Sequence, residues 1–150
     1  MFTSLRHTRS GFTLIELIAV LATLGIALAI ATPTVGRAID RYAVRSARDA
    51  VATELARTRM LARAHGGAAL VLDAREGTVW VRSPGGDTLA LPTHVTAVYD
   101  ARIELSGADT AAVAYDRLGI GRMANRTVRL VRHSADARLT ISAYGRVRLW

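Results

Sequence analysis

The chain has 150 residues, of which 51% are hydrophobic, 21% are charged and none is cysteine, a composition that excludes low-complexity disorder, a disulfide framework and a thiolate metal site. Its formal charge is +8, all 20 basic residues are Arg, and the charge is unevenly spread: residues 12–65 carry net +3, residues 66–116 net −4, and residues 117–150, with eight Arg against Asp136 alone, net +7. A basic last third suits a polyanionic partner, though solvated basic strands give the same pattern.

The chain opens on a short leader, residues 1–11, with Arg6 and Arg9 and no apolar core of its own. From Phe12 to Val35 an apolar run of 24 residues follows, with Glu16 as its one formal charge. As a helix it extends about 36 Å, enough to cross a hydrocarbon core of about 30 Å. Leu14, Ile15, Leu17, Ile18, Val20, Leu21, Leu24, Ile26, Leu28 and Ile30 lie all round such a helix, the pattern of a lipid-facing segment. A plain membrane anchor accounts for this. So does a secretory signal ending at the small-x-small site Ala29-Ile30-Ala31, before Thr32-Pro33. The length of the run and the presence of Glu16 count against the secretory signal, because a carboxylate near the start of a membrane span is costly and usually functional.

The segment Gly11-Phe12-Thr13-Leu14-Ile15-Glu16-Leu17 resembles the prepilin signal of type IV pilins and type II secretion pseudopilins. The resemblance implies cleavage between Gly11 and Phe12 by a prepilin peptidase and N-methylation of Phe12. It also implies that the apolar run is kept as the stem of the mature subunit. Glu16 then has a cation to seek, the free α-amine of Phe12 on a neighbouring subunit, and Pro33 fits the proline common in such stems. The expected location is the bacterial inner membrane, single-pass, with the C-terminal part periplasmic or in a pilus-like filament. The motif sets this topology, since Arg37, Arg41, Arg45 and Arg48 on the far side of the span leave the charge rule ambiguous.

Helical periodicity continues to His65. Val35, Ile39, Tyr42, Ala43, Ala47, Val51, Leu55 and Leu61 or Ala62 form one stripe that should cover a sheet, with Arg45 and Asp49 placed to pair at i,i+4. Gly66-Gly67 stops the helix. Strands are expected at Ala68–Leu72, Thr78–Arg82, Thr88–Leu91, Val95–Tyr99, Arg102–Leu105, Ala111–Tyr115, Thr127–Arg132, Arg138–Ala143 and Arg146–Leu149. The expected fold class is α+β: one long N-terminal helix, its first half transmembrane, packed on an antiparallel sheet or sandwich, which is the pilin-like arrangement. The corresponding segments are the leader 1–11, the stem 12–35, the amphipathic half-helix 36–65 and the β-rich domain 66–150.

Within that family the chain is similar to the GspH/FimT group of minor subunits. The carrying residues are Ala56-Arg57-Thr58-Arg59-Met60-Leu61-Ala62-Arg63, Trp80, and the ending Leu139-Thr140-Ile141-Ser142-Ala143-Tyr144-Gly145-Arg146-Val147-Arg148. No enzyme site is legible. His7, His65, His94 and His133 lack metal-ligand spacing, and neither a Gly-x-Ser-x-Gly turn nor a phosphate-binding glycine loop occurs. Neither a cofactor nor a small-molecule substrate is expected.

On a strand, Arg146, Arg148 and Trp150 share one face and Val147 and Leu149 the other. Two guanidinium forks beside an indole suit a polyanion, while an amphipathic edge strand kept soluble by its charges accounts for the same residues. The resemblance adds that FimT-type subunits bind DNA through a C-terminal Gly-Arg-x-Arg motif, and that secretion-type GspH relatives show a similar ending. Two functions follow: a structural subunit near the tip of a type II secretion pseudopilus, for protein export, or a minor type IV pilin that captures extracellular DNA. Partners are other pilin or pseudopilin subunits, the prepilin peptidase, the inner membrane and, on the second reading, DNA.

Overall fold

The computed structural model describes residues 12–122 and 125–150, so the leader and Gly11 lie outside the described residues. The chain divides into two compact units, Met1–Gly36 and Arg37–Trp150.

One helix, α1 (Leu14–His65), passes through both. Thr13 caps its start: its hydroxyl accepts the Glu16 amide at 3.3 Å and its carbonyl accepts the Leu17 amide at 3.1 Å. In the first unit the apolar residues are exposed all round, as a lipid-facing stem requires. Two of the stem threonines hide their donors in the helix itself. The Thr23 hydroxyl donates to the Ala19 and Val20 carbonyls at 3.0 and 2.9 Å, and Thr32 to Leu28 at 2.7 Å. Bonds of this kind keep hydroxyls satisfied where water is absent. The helix continues through Pro33 without interruption.

In the second unit α1 buries Ala43, Val44, Ala47, Val51, Leu55, Thr58 and Ala62, at spacings of three and four. The expected stripe therefore begins too early: Val35, Ile39 and Tyr42 are exposed, and before Ala43 only Asp40, held by Arg132 and His133, is partly covered among the described residues. The anticipated Arg45–Asp49 pair is replaced by Arg48–Asp49 at 2.8 Å.

The strands are β1 (Gly67–Asp73), β2 (Thr78–Arg82), β3 (Thr88–His94), β4 (Arg102–Leu105), β5 (Thr110–Asp116), β6 (Arg126–Arg132), β7 (Ala135–Ile141) and β8 (Val147–Leu149). They form two antiparallel four-stranded sheets, ordered β3-β2-β1-β5 and β4-β6-β7-β8. Val95–Tyr99, expected as a strand, is a short helix, α2. The Thr96 amide donates to the Gly77 carbonyl at 3.1 Å, and Asp100 closes the turn with φ 52°, its amide on the Thr96 carbonyl. A five-residue apolar run carries too few positions to distinguish the two periods. Strand β7 starts three residues earlier than expected because His133, at φ 49°, tightens the connection from β6.

A single core joins α1 to the inner faces of both sheets, with Val51, Leu55, Leu70, Leu72, Val81, Ile103, Val113, Leu130, Leu139 and Ile141 fully buried. Each such aliphatic side chain contributes about 1.5–3 kcal/mol by leaving water. Every buried residue described lies at or beyond Ala43, so the second unit holds its own core. Polar contacts fix the helix against it. Asp40 faces Arg132 at 3.1 Å and His133 at 3.2 Å, and Arg132 also reaches Asp100 at 3.2 Å. The Arg59 and Arg63 side chains donate to the Gly119 and Leu118 carbonyls at 3.2 and 3.3 Å.

Candidate functional site

The stem site consists of Phe12 and Glu16. Phe12 precedes α1 and is exposed, and Gly11 lies outside the described residues. Glu16 sits in the first turn of α1, where a negative charge complements the helix dipole. Its carboxylate is exposed and has no ion-pair or hydrogen-bond partner among the described residues. The spacing Thr13-x-x-Glu16 is also that of a capping box, and only the Thr13 half of the reciprocal pair is made. The helix to which it belongs is long and apolar enough to cross a membrane.

The second site is the C-terminal strand. Chain reversal before it depends on Ser142 and Gly145. The Gly145 amide donates to the Ser142 carbonyl at 2.8 Å, and the Arg146 amide to Ser142 Oγ at 3.0 Å. Gly145 has φ +80°, and a Cβ there would stand 2.5 Å from Tyr115 Cε1. It would also stand 3.2 Å from Gly121, whose own amide donates to the Tyr144 carbonyl at 3.1 Å. Glycine is therefore required at the head of Gly-Arg-Val-Arg both by conformation and by space.

Beyond the turn, β8 pairs with β7 in the register Ile141↔Val147, Thr140↔Arg148 and Leu139↔Leu149, and Trp150 continues the ladder by exchanging two backbone bonds with Arg138. Strand β8 is thus a sheet edge. Arg146, Arg148 and Trp150 are all exposed, as expected; of the opposite pair, Val147 packs against the core while Leu149 is 46% exposed.

The arginines of this sheet divide into two sets. Arg129 donates to Asp136 at 3.1 Å and to Glu104 at 3.3 Å, and Arg138 donates to Asp136 at 3.3 Å. The Arg129 hydrogen bond holds the Asp136 carboxyl below its ordinary value, with Arg138 adding to the effect. Arg146 and Arg148 have no ion-pair or hydrogen-bond partner for their guanidinium groups among the described residues. Two shallow grooves flank them: one of about 500 Å³ bordered by Tyr144, Arg146 and Arg148, and one of about 450 Å³ bordered by Arg138 and Trp150. Forked, unpaired guanidiniums of this kind can take phosphate or carboxylate oxygens bidentately.

Sequence reasoning missed the loop between β5 and β6. Asp116 Oδ1 accepts the Leu118 and Ile120 amides at 2.9 and 3.0 Å, which, the Ile120 bond first, holds its carboxyl below the ordinary value. The Gly119 and Gly121 positions were the available signal. Among the described residues no group of His, Asp or Glu is disposed to hold a metal ion.

Residues 6–32 match the family described as the prokaryotic N-terminal methylation motif. The fold is similar to the crystal structure of the type IV minor pilin FimU of Pseudomonas aeruginosa, with a TM-score of 0.57 and 15% identity over 73% of this chain and 90% of that one. The comparison with curated proteins gives no match. An N-terminal methylation motif and a fold similar to that of a minor pilin thus occur in one chain.

Proposed function

We propose that the chain is a minor structural subunit of a pilus-like filament, acting near the tip of a type II secretion pseudopilus in the manner of GspH. The observation that carries this reading is the unpartnered Glu16 carboxylate within an apolar stem. In lipid such a group is stabilised only by a matching cation. Cleavage after Gly11 would create one, the α-amine of Phe12, and a neighbouring subunit can present it to Glu16. The stem 12–35 then forms the filament core, and residues 36–150 form the exposed domain.

Two substitutions test the pairing. Glu16→Ala removes both the charge and the polar side chain, whereas Glu16→Gln keeps a polar side chain of the same size and removes only the charge. Both variants should be processed and inserted normally, and both should lose incorporation into filaments. Normal incorporation of Glu16→Gln would refute the charge pairing.

A second reading is favoured by Arg146 and Arg148, which stand unpaired on an edge strand while Arg129 and Arg138 of the same sheet are paired with Glu104 and Asp136. It makes the chain a FimT-like minor pilin that captures DNA. Residues 37–150 should then bind DNA with little sequence preference and a steep salt dependence. Replacing Arg146 and Arg148 by Gln should lower the salt slope by about one unit per lost phosphate contact. Fluorescence anisotropy at several salt concentrations measures this. Deleting the gene separates the two readings: loss of protein export supports the first, and loss of DNA uptake the second.

A further inference from the structure

A further open groove of about 850 Å³ includes Arg82, Arg117 and Arg122 in its lining. All three side chains are exposed, and none makes a hydrogen bond or an ion pair within bonding distance among the described residues. Asp116 also borders the groove. It lies close enough to Arg117 and Arg122 for both to favour its charged form, and its carboxylate is committed to the loop amides. The groove therefore keeps a net positive charge and free guanidinium forks. Its rim includes Gly66, Gly85 and Gly86, where no neighbouring atom stands within 3.4 Å of an added Cβ, so backbone is accessible there.

One backbone hydrogen bond links the lining of this groove to the turn before the Gly145-Arg146-Val147-Arg148 strand. Arg122 follows Gly121, and the Gly121 amide is bonded to the Tyr144 carbonyl. Tyr144 thus stands where the two arginine sets meet, with its side chain among the most exposed in the domain at 77%. From Arg146, just past the turn that holds Tyr144, the chain runs about 13 Å to Trp150, also exposed, with Arg148 between them.

We propose that the Arg82–Arg117–Arg122 groove and the Arg146–Arg148 strand form one extended track for single-stranded nucleic acid, with Tyr144 and Trp150 as stacking surfaces for unpaired bases. This rests on the DNA-binding reading and extends it to a groove and a strand form that the Gly-Arg-x-Arg motif does not specify. Guanidinium groups alone serve any polyanion. The interleaved exposed aromatics favour a chain that offers both phosphates and open base faces, which an acidic polypeptide and an intact duplex do not.

The test uses the full chain in detergent micelles and a fluorescein-labelled oligothymidylate of about 20 nucleotides, long enough to exceed one strand's contact. A hairpin duplex and polyglutamate serve as competitors. The wild-type chain should prefer the oligothymidylate over both. Arg82→Gln/Arg122→Gln should reduce the salt slope by about 1.4, the value for two single-strand phosphate contacts, and Tyr144→Ala should weaken binding about tenfold. Circular dichroism should be unchanged in each variant, since these side chains are exposed. If Arg82→Gln/Arg122→Gln titrates like wild type while Arg146→Gln/Arg148→Gln weakens binding, the track is overturned and the two-arginine reading stands. If the wild type binds neither DNA form, both fall. Equal competition by polyglutamate, with Tyr144→Ala unaffected, would identify an acidic polypeptide as the ligand and overturn the proposal.

Discussion

Gly145 illustrates how a single residue links a recognition motif to the fold beneath it. Its left-handed backbone is open to an L-residue only at a cost, and the space for a Cβ is already taken by the Tyr115 ring and Gly121. Gly145→Ala should therefore destabilise residues 37–150 by about 2–4 kcal/mol, combining backbone strain with overpacking. Urea unfolding measures this, and a change under 0.5 kcal/mol would show that the turn relaxes freely. Arg146 and Arg148 have the opposite character: they are exposed and unpaired, so their replacement should affect binding and leave folding alone. Tyr115 itself is buried, with its hydroxyl lacking a hydrogen-bond partner. Burial raises its pKa, offset in part by Arg59, whose guanidinium lies 5.5 Å from the ring centre.

Among the elements, α1 has two environments on one continuous period. Leu55 is fully buried under the sheets, whereas Ile39 is 53% exposed. In residues 37–150, Leu55→Ala should cost about 2–5 kcal/mol and Ile39→Ala about 0.5 kcal/mol or less, by chemical denaturation. The loop after β5 is held electrostatically. The folded pKa of Asp116 lies below the ordinary 3.8 because its carboxylate accepts two backbone amides, so its contribution is present above that value and is lost as pH falls through the folded one. Asp116→Asn should accordingly flatten the loss of stability below about pH 3.8, as thermal melts across the acid range would reveal. An unchanged acid limb would mean that other carboxylates govern it.

For the whole molecule, the match of residues 6–32 to the N-terminal methylation motif leads to a prediction about maturation. Mass spectrometry of the mature chain should find an N-terminus at Phe12 carrying one methyl group. An N-terminus at Thr32 would instead mark the run as an ordinary secretory signal and remove the stem on which filament assembly depends. Since every buried residue described lies in the second unit, stem substitutions such as Glu16→Gln should leave the melting of that unit unchanged.

The sequence by itself determined those features that depend on local order and period. The Gly11-to-Leu17 motif, the 24-residue apolar run, the helix to His65 and most strands are written in consecutive residues, and each has one dominant spacing. Tertiary structure decided where competing local signals were equal or where partners are distant in the chain. Val95–Tyr99 has the composition of a strand and becomes a helix through Gly77 and Asp100. Periodicity assigned Val35, Ile39 and Tyr42 to the buried stripe, but among the described residues the helix buries apolar side chains only from Ala43 onward. The pairing of Gly121 with Gly145 spans 24 positions and leaves no sequence signal, yet it positions the last strand. Which arginines remain free follows from sheet register, because register alone places Glu104 opposite Arg129, Arg129 opposite Arg138, and no acid opposite Arg148.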